Sequence, residues 1–448
     1  MDLPIELINH IFTSISSESD LSSCSLVCSS WTDTAHRHLF RKLVYIREGW
    51  GRPEYPALLL FLQDTPYIAK HVRMLDLVGG GHINGAILES HVFSGLLRTL
   101  PNLQHVKIHS IWLSYTTQHE TKDKDGRRDR FKKDGIDDVW NWDEVIDEKS
   151  PTIAGSGRRL ESLKIQSTRI QGGNPCITLF QFLQVIGTLH TLQISYITSR
   201  AHKKSVAFLR DYCSSLAFPS HLGIQNYLCH FWGFDRYFVG VVVSETLRRA
   251  PPCTLRHLDF TLVDRRSATS YVGAFLKDIG AGLETLSISL RGEQSEWTGG
   301  TLPVISTIDS SYSIQDNSLD LSSCKSLRSL TFNHSLAIQS NNLVFCTNAM
   351  LDALVTTPRI PFKLSIKLGD FIDGAPWTAT YPRFLSDLNW KKLVEVVRSH
   401  PCKEKKVAII WAGSRSFSVP NDIEQVIREK LADPDVEGWM EVVRECSG

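Results

Sequence analysis

Few residues in this chain have the types and spacing that bond chemistry needs. The most suggestive stretch is Val78-Gly79-Gly80-Gly81-His82-Ile83-Asn84-Gly85, which follows the strand-like run Val72 to Leu77 and precedes a helix-like segment. Dinucleotide loops use that order because glycines let the backbone close on a pyrophosphate at a helix N-terminus. Read from Gly79, however, the G-x-G-x-x-G pattern puts Asn84 where the third glycine must stand. A turn between two elements is the plainer reading. No G-x-x-x-x-G-K-[ST], H-E-x-x-H or G-x-S-x-G occurs. His36 and His38 stand two apart on a helix-like stretch, so they point apart and make poor joint metal ligands. Cys28 with a distant His is a nucleophile in principle only. No two carboxylates stand out as a working pair. The expectation is a chain that is not an enzyme, with no catalytic residue, no metal site and no cofactor.

The elements that must carry any other function begin with Leu3 to Leu43. Pro4 suits the first position of a helix, where its missing N–H costs nothing. Leu7, Ile8, Ile11, Phe12 and Ile15 then follow helical spacing. Ser16 to Ser19 break the pattern, and Asp20 is the expected N-cap of a second short helix with Leu21, Cys24 and Val27. Ser29 and Ser30 interrupt again before a third helix with Trp31, Ala35, Leu39 and Phe40. Three helices of this size rarely bury enough apolar surface to stand alone. They must pack on the rest of the chain or on a partner.

The order Leu3-Pro4-Ile5-Glu6-Leu7, Ile11-Phe12, Asp20-Leu21-Ser22-Ser23-Cys24-Ser25-Leu26-Val27-Cys28-Ser29-Ser30-Trp31 and Leu39-Phe40-Arg41-Lys42-Leu43 resembles an F-box. The resemblance implies docking onto the Skp-type adaptor of a cullin–RING ubiquitin ligase, with the rest of the chain recruiting a substrate. It implies an adaptor-facing surface drawn from Leu3, Pro4, Leu7, Ile8, Ile11, Leu26, Val27 and Trp31, with Ile8 and Val27 alternatively holding the helices together. It makes Cys28 a packing residue.

After a strand at Leu43 to Ile46 and a helix at Ala57 to Gln63, a short pattern returns. It is [L/V]-x-x-[L/V]-x-[L/I/F], at Val72–Leu77, Leu103–Ile108, Leu160–Ile165, Leu189–Ile194, Leu255–Phe260, Leu283–Ile288 and Leu327–Phe332, with a weaker case at Phe362–Ile366. The last four residues of each, Met74 excepted, alternate polar and apolar, as a strand with one buried face does. Helix-like segments precede several: Val92 to Leu100, Leu179 to Gly187 and Val272 to Ile279, with breaks at Pro101, Gly187 and Gly282. Repeated units of this kind cannot bury their apolar faces singly, so neighbours stack. The pattern resembles the irregular leucine-rich-repeat region found behind many F-boxes of fungal type. Strand-to-strand spacing is uneven, from under 30 residues to over 60. The buried Asn of that repeat family is replaced at its places by Gly80, Ile111, Thr168, Ile197, Val263, Arg291 and Ser335. The fold expected is α/β: an N-terminal three-helix F-box (1–47), an irregular leucine-rich-repeat-like solenoid (48–370) and a C-terminal capping region (371–448). An ordinary α/β domain with a mixed sheet is the competing reading.

Between the strands, Thr117 to Ser150 is basic in its middle and acidic at its end, and reads as a solvated loop. Arg291 to Ser311, rich in Gly, Ser and Thr, reads as another. Ala201 to Asp235 shows no clear period. Beyond Phe371, Phe384 to Val397 looks helical, Val407 to Trp411 looks like a buried strand, and Ile423 to Leu431 and Trp439 to Val443 look like amphipathic helices.

Composition is ordinary for a soluble folded protein. The 448 residues are 42% hydrophobic and 22% charged, with net charge +1, so no global field draws the chain to nucleic acid or membrane. The longest apolar runs, Ala57 to Leu62, Phe238 to Val243 and Val407 to Ala412, fall far short of the roughly 20 residues of a membrane helix. The start lacks the basic lead and apolar core of a signal peptide. The ten cysteines are scattered, as in a reduced chain of the cytosol or nucleus.

If Leu and Ile face the core, the intervening strand residues form an open face. Asp76, His105, Lys107, Lys164, Gln193, His257 and Asp259 are then the expected substrate contacts. Their mixed charge suits a folded protein partner better than nucleic acid, which needs a basic stripe. The function read from the sequence is the substrate-recruiting subunit of a Skp–cullin–F-box ligase. The alternative is a leucine-rich-repeat scaffold whose first helices only cap the array.

Overall fold

The computed structural model describes residues 4–46, 55–79, 86–114, 158–170, 175–195, 197–199, 223–230, 255–262, 275–290, 320–335, 353–357, 362–369, 390–400, 405–413, 423–430 and 440–446, with a few single residues between them. The chain divides into two compact units, Met1–Ile224 with Phe234–Ala250, and Gln225–Gly233 with Pro251–Gly448. The segments 117–150 and 291–311 lie outside the described residues.

The first unit starts with three helices, α1 (Ile5–Ser14), α2 (Glu18–Ser25) and α3 (Ser29–Leu39). Pro4 is the cap rather than the first helical residue, and its carbonyl accepts from the Leu7 and Ile8 amides at 3.0 and 3.1 Å. Ser17, not Asp20, caps α2, because its hydroxyl reaches the Asp20 amide at 3.3 Å. Asp20 and Glu18 sit instead in the first turn, where negative charge suits the helix dipole. Ser29 and Ser30 open α3 rather than interrupting before it. Ile8, Phe12, Leu21 and Ala35 form the core of the three helices, with Ile15, Cys24, Trp31 and Leu39 packed against it. The Trp31 ring meets Phe12 edge-on at 5.6 Å.

This small core is tied to the first strands of the sheet. β1 (Lys42–Ile46) pairs in parallel with β2 (Met74–Val78), and Arg41 O accepts from the Arg73 and Met74 amides. Asp33 on α3 meets Lys70 Nζ at 2.9 Å and Arg37 at 3.3 Å, with the buried His71 ring 3.4 Å away. Lys70 and His71 follow α4 (Tyr55–Asp64) and α5 (Pro66–Ala69).

The strand-and-helix pattern then recurs through β3 (Ile87–Glu89), α6 (Ser90–Thr99), β4 (His105–His109), β5 (Trp112–Ser114), β6 (Arg158–Gln166), β7 (Arg169–Ile170), α7 (Pro175–Gln184), β8 (Ile186–Ser195) and β9 (Thr198–Ser199). Two parallel sheets result within the unit, β1-β2-β4-β6-β8 and β3-β5-β7-β9. The expected Leu and Ile positions fall in register: Leu75, Val106, Leu163 and Leu192 in one row, Leu77, Ile108, Ile165 and Ile194 in the next, all buried. α6 packs beside α7 through Phe93 and Phe182, whose rings lie 5.2 Å apart, and through a buried Ser90–Gln181 hydrogen bond.

The second sheet has no counterpart in the sequence reading. The corners leading to it are alike. Gly79, Ser110 and Ser167 each donate a backbone N–H to a carbonyl of the neighbouring strand, His109, Gln166 and Ser195. Ser110 and Ser167 hold left-handed φ of 54° and 50°. Where the repeat family places its Asn, Ile111, Thr168 and Ile197 are buried. Backbone pairing serves the corners instead, as in Trp112 N–H to Ala86 O and Arg169 N–H to Ile111 O. The glycine-rich stretch ends on β3, not on a helix, so no helix N-terminus follows it directly.

The second unit is a parallel sheet of β10 (Gly223–His230, which enters this unit at Gln225), β11 (His257–Leu262), β12 (Thr285–Leu290), β13 (Ser329–Ser335), β14 (Phe362–Gly369), β15 (Lys405–Gly413) and β16 (Met440–Cys446), in chain order. The helices Trp390–Ser399 and Ile423–Lys430 connect its last strands. Three expectations are corrected. Trp439 to Val443 is not a helix, since β16 pairs in parallel with β15, and β-branched Val442 and Val443 suit that state. Gly187 lies inside β8, because α7 ends at Gln184. β10 falls in the stretch that showed no period. The described residues are a mixed α/β arrangement with N-terminal helices, and no helix among them is long and apolar enough to cross a membrane.

Candidate functional site

Two surfaces emerge from this scaffold. The first lies on the three helices. α1 is apolar over a wide arc. Ile8, Phe12 and Ile15 turn inward, while Ile5, Leu7 and Ile11 stay exposed. Glu6, Asn9, His10 and Thr13 form the polar back of α1, and the apolar arc is wider than the core of the three helices covers. Leu26 and Val27, in the turn after α2, are 84% and 63% exposed. That turn is built rather than loose. The Leu26 and Val27 amides donate to Ser23 and Cys24 carbonyls, and the Thr32 hydroxyl donates to Ser25 O at 2.8 Å.

The expected adaptor residues therefore separate. Pro4, Leu7, Ile11, Leu26 and Val27 are exposed, and Trp31 is half-buried against Phe12. Ile8, only 5% exposed, belongs to the core and is withdrawn from the surface, because it sits one turn from Phe12 on the inward stripe. Leu3 lies outside the described residues. Cys28 is exposed at the N-cap of α3, not packed, with its Sγ 3.1 Å from the Ser30 hydroxyl. Ile5 and Thr32 were missed. Ile5 lies on the same stripe as Ile8 and Phe12, one turn nearer the N-terminus, and is exposed because the three-helix core does not reach it.

The second surface is the polar face of the first unit's larger sheet. Register places Asp76, Lys107, Lys164 and Gln193 side by side, with His105 in the adjoining row beside Ser162. The His105 Nδ1 and the Ser162 hydroxyl are 2.8 Å apart. Lys107 reaches the largely buried Asp76 at 3.7 Å. Burial holds the His109 imidazole below its usual range, Lys107 pushes it further the same way, and Asp76 pulls weakly against them. His257 and Asp259 lie on β11 in the second unit, in register with Thr285 and Ser287. There Asn333 donates to the Ser287 and Ser289 hydroxyls at 3.1 and 3.0 Å, a polar bridge that sequence spacing did not signal.

Among the described residues, no group of His, Cys, Asp and Glu is arranged to hold a metal ion. Burial pushes the Cys324 thiol up to about 11, and Cys176, buried beside Cys213, is raised as well. Such thiols are poor nucleophiles. The polar groups that converge on the sheet face are the Asp76–Lys107 pair, Lys164, Gln193 and the His105–Ser162 contact.

A family model described as F-box-like matches residues 1–46. No curated protein matches the chain. The match ends at the last residue of β1, so it covers the three helices and the strand that joins them to the sheet. The exposed apolar ridge thus belongs to an F-box-like domain, the kind of domain that binds Skp-type adaptors in cullin–RING ubiquitin ligases.

Proposed function

We propose that this chain is the substrate-recruiting subunit of a Skp–cullin–F-box ubiquitin ligase. The observation that carries the reading is the F-box-like domain, whose apolar residues Ile5, Leu7, Ile11, Leu26 and Val27 remain uncovered in the isolated chain. In this reading Leu3, Pro4 and Trp31 complete the adaptor-facing surface, and Ile8 supports it from beneath. The remainder is an irregular leucine-rich-repeat-like solenoid. In-register parallel strands, alternating buried and open residues, and the like corners at Gly79, Ser110 and Ser167 support it. Its open sheet residues hold a protein substrate, with Asp76, His105, Lys107, Lys164 and Gln193 as one group and His257 and Asp259 as another.

The subunit makes and breaks no bonds. It works by proximity, holding a substrate near the ubiquitin-loaded enzyme and raising its effective concentration. That mechanism needs a stiff joint between the adaptor side and the substrate side. The β1–β2 pairing supports that reading within the first unit, with the half-exposed Asp33–Lys70 contact beside it. The reading places the chain in the cytosol or nucleus and gives it no nucleic-acid or membrane partner.

Co-purification with a Skp-type adaptor tests it. The wild-type chain should bind the adaptor, and a Leu7→Ala, Leu26→Ala, Val27→Ala variant with an unchanged thermal melt should not. A folded wild-type chain that leaves the adaptor unbound overturns the reading in favour of a repeat scaffold capped by helices.

A further inference from the structure

We propose that the open sheet face of the first unit receives a short acidic segment of the substrate protein, anchored by an apolar residue about three or four positions from the acidic group. The proposal deepens the substrate-surface reading above and rests on it.

The face changes character from strand to strand. At β1 and β2 it carries an exposed apolar group, with Val44 and Ile46 41% and 57% exposed and Met74 partly open, beside the charged Lys42 and Asp76. Register sets Val44 beside Asp76 and Ile46 beside Val78, so these side chains are neighbours on one face. At β4 and β6 the face turns basic. Lys107 stands directly beside Lys164 in the parallel ladder. Like charges so placed repel. Asp76 answers Lys107 from the other side at 3.7 Å. Lys164 has the neutral Gln193 as its other neighbour and makes no ion pair among the described residues. With Lys42 in line with Met74, three lysines face one carboxylate that is itself mostly buried.

The missing element is external negative charge. Carboxylates laid across Lys107 and Lys164 relieve their repulsion and satisfy Lys164. The rows on this face carry no Phe, Tyr or Trp on which bases could stack, and the basic group is only two strands wide. Its mixed charge and its apolar group suit a protein segment better than a nucleic acid, which needs a continuous basic stripe. Strands lie about 4.8 Å apart, so β1 is about 10 Å from β4 and about 14 Å from β6. An extended chain advances about 3.3 Å per residue, which puts the apolar anchor about three or four residues from the carboxylates.

The probe is a fluorescent peptide carrying a Leu-Val pair, three Ser residues, then Glu-Asp-Glu, titrated with the full chain and read by anisotropy. Binding is expected, weaker by about five- to tenfold at raised salt and in a Lys107→Ala, Lys164→Ala variant of unchanged melt. A Val44→Ser, Ile46→Ser variant should weaken it as well. Absence of binding, equal affinity in the double-lysine variant, or equal binding of a peptide with Lys in place of the acids overturns the proposal. So does binding confined to a phosphoserine version of the peptide. Wild-type adaptor co-purification runs beside it. Adaptor bound with the peptide result negative removes only this proposal. A lysine-dependent peptide result with the adaptor unbound removes only the ligase reading.

Discussion

Ile8 and Leu26 are both apolar residues of the first helices, and they do opposite work. Ile8 closes the core with Phe12, while Leu26 meets solvent. Ile8→Ala should cost about 2–5 kcal/mol of unfolding free energy, read by denaturant titration, because the cavity cannot be refilled by so small a core. Leu26→Ala with Val27→Ala should leave the melt in place. It should weaken adaptor binding by at least about tenfold, since burying each such side chain contributes about 1.5–3 kcal/mol. Equal effects on folding from both sets would mean that the exposed pair is structural. A second residue-scale prediction concerns acid. Burial holds His71 below its ordinary value of 6.5, against the pull of Asp33. The folded chain then binds fewer protons than the unfolded one in weak acid, so stability rises with pH there. It is complete above the unfolded value and is lost as pH falls below it. His38 and His109 act in the same direction. Asp33, held low chiefly by its hydrogen bond to Lys70, contributes above the usual carboxylate range and is lost only in stronger acid. The thermal midpoint should fall from pH 7 to 5, and fall less in His71→Asn. Parallel curves would remove His71 as a source.

At the scale of elements, the corners and the helix layer respond differently to added bulk. A Cβ at Gly79 would stand 2.1 Å from the backbone oxygen of Ser110, which cannot move without shifting β4. A Cβ at Gly95 would stand 2.6 Å from a terminal methyl of Leu59, which can rotate away. Gly79→Ala should therefore destabilise by about 1–3 kcal/mol or more, and Gly95→Ala by less. Comparable losses in chemical denaturation would show that the corner has slack. The glycine that looked like a phosphate cradle is thus explained by close passage of two backbone segments. The strand at Met440–Cys446 carries a related lesson. Five residues are too few for periodicity to separate helix from strand, and the free edge of β15 decides it.

On the scale of the whole molecule, the joint between the F-box-like helices and the sheet matters most. Arg41 O holds the Arg73 and Met74 amides, and β1 lies along β2. The helices and the first strands should therefore open together. Hydrogen exchange on Ile8→Ala should show protection lost at Arg73 and Met74 as well as in α1 to α3. Fast exchange in the helices with Arg73 and Met74 still protected would mean that residues 1–46 unfold alone and that the joint is not stiff.

Read by itself, the sequence determined the elements that depend on local pattern. The three short helices followed from apolar spacing, though Ser19, Ser29 and Ser30 lie inside helices instead of breaking them. The eight strands followed from Leu and Ile at fixed offsets, and all eight form with those residues inward where burial is described. The F-box-like domain was legible because its motif is contiguous. Tertiary structure alone decided the rest. Short strands such as Arg169–Ile170 exist only because a neighbouring coil offers hydrogen-bond partners, and two residues carry no period. The inward turn of Ile8 beside outward Leu7 depends on where Leu21 and Ala35 arrive. The neighbours Lys107 and Lys164 are 57 residues apart in the chain, and only the register of β4 against β6 brings their charges together.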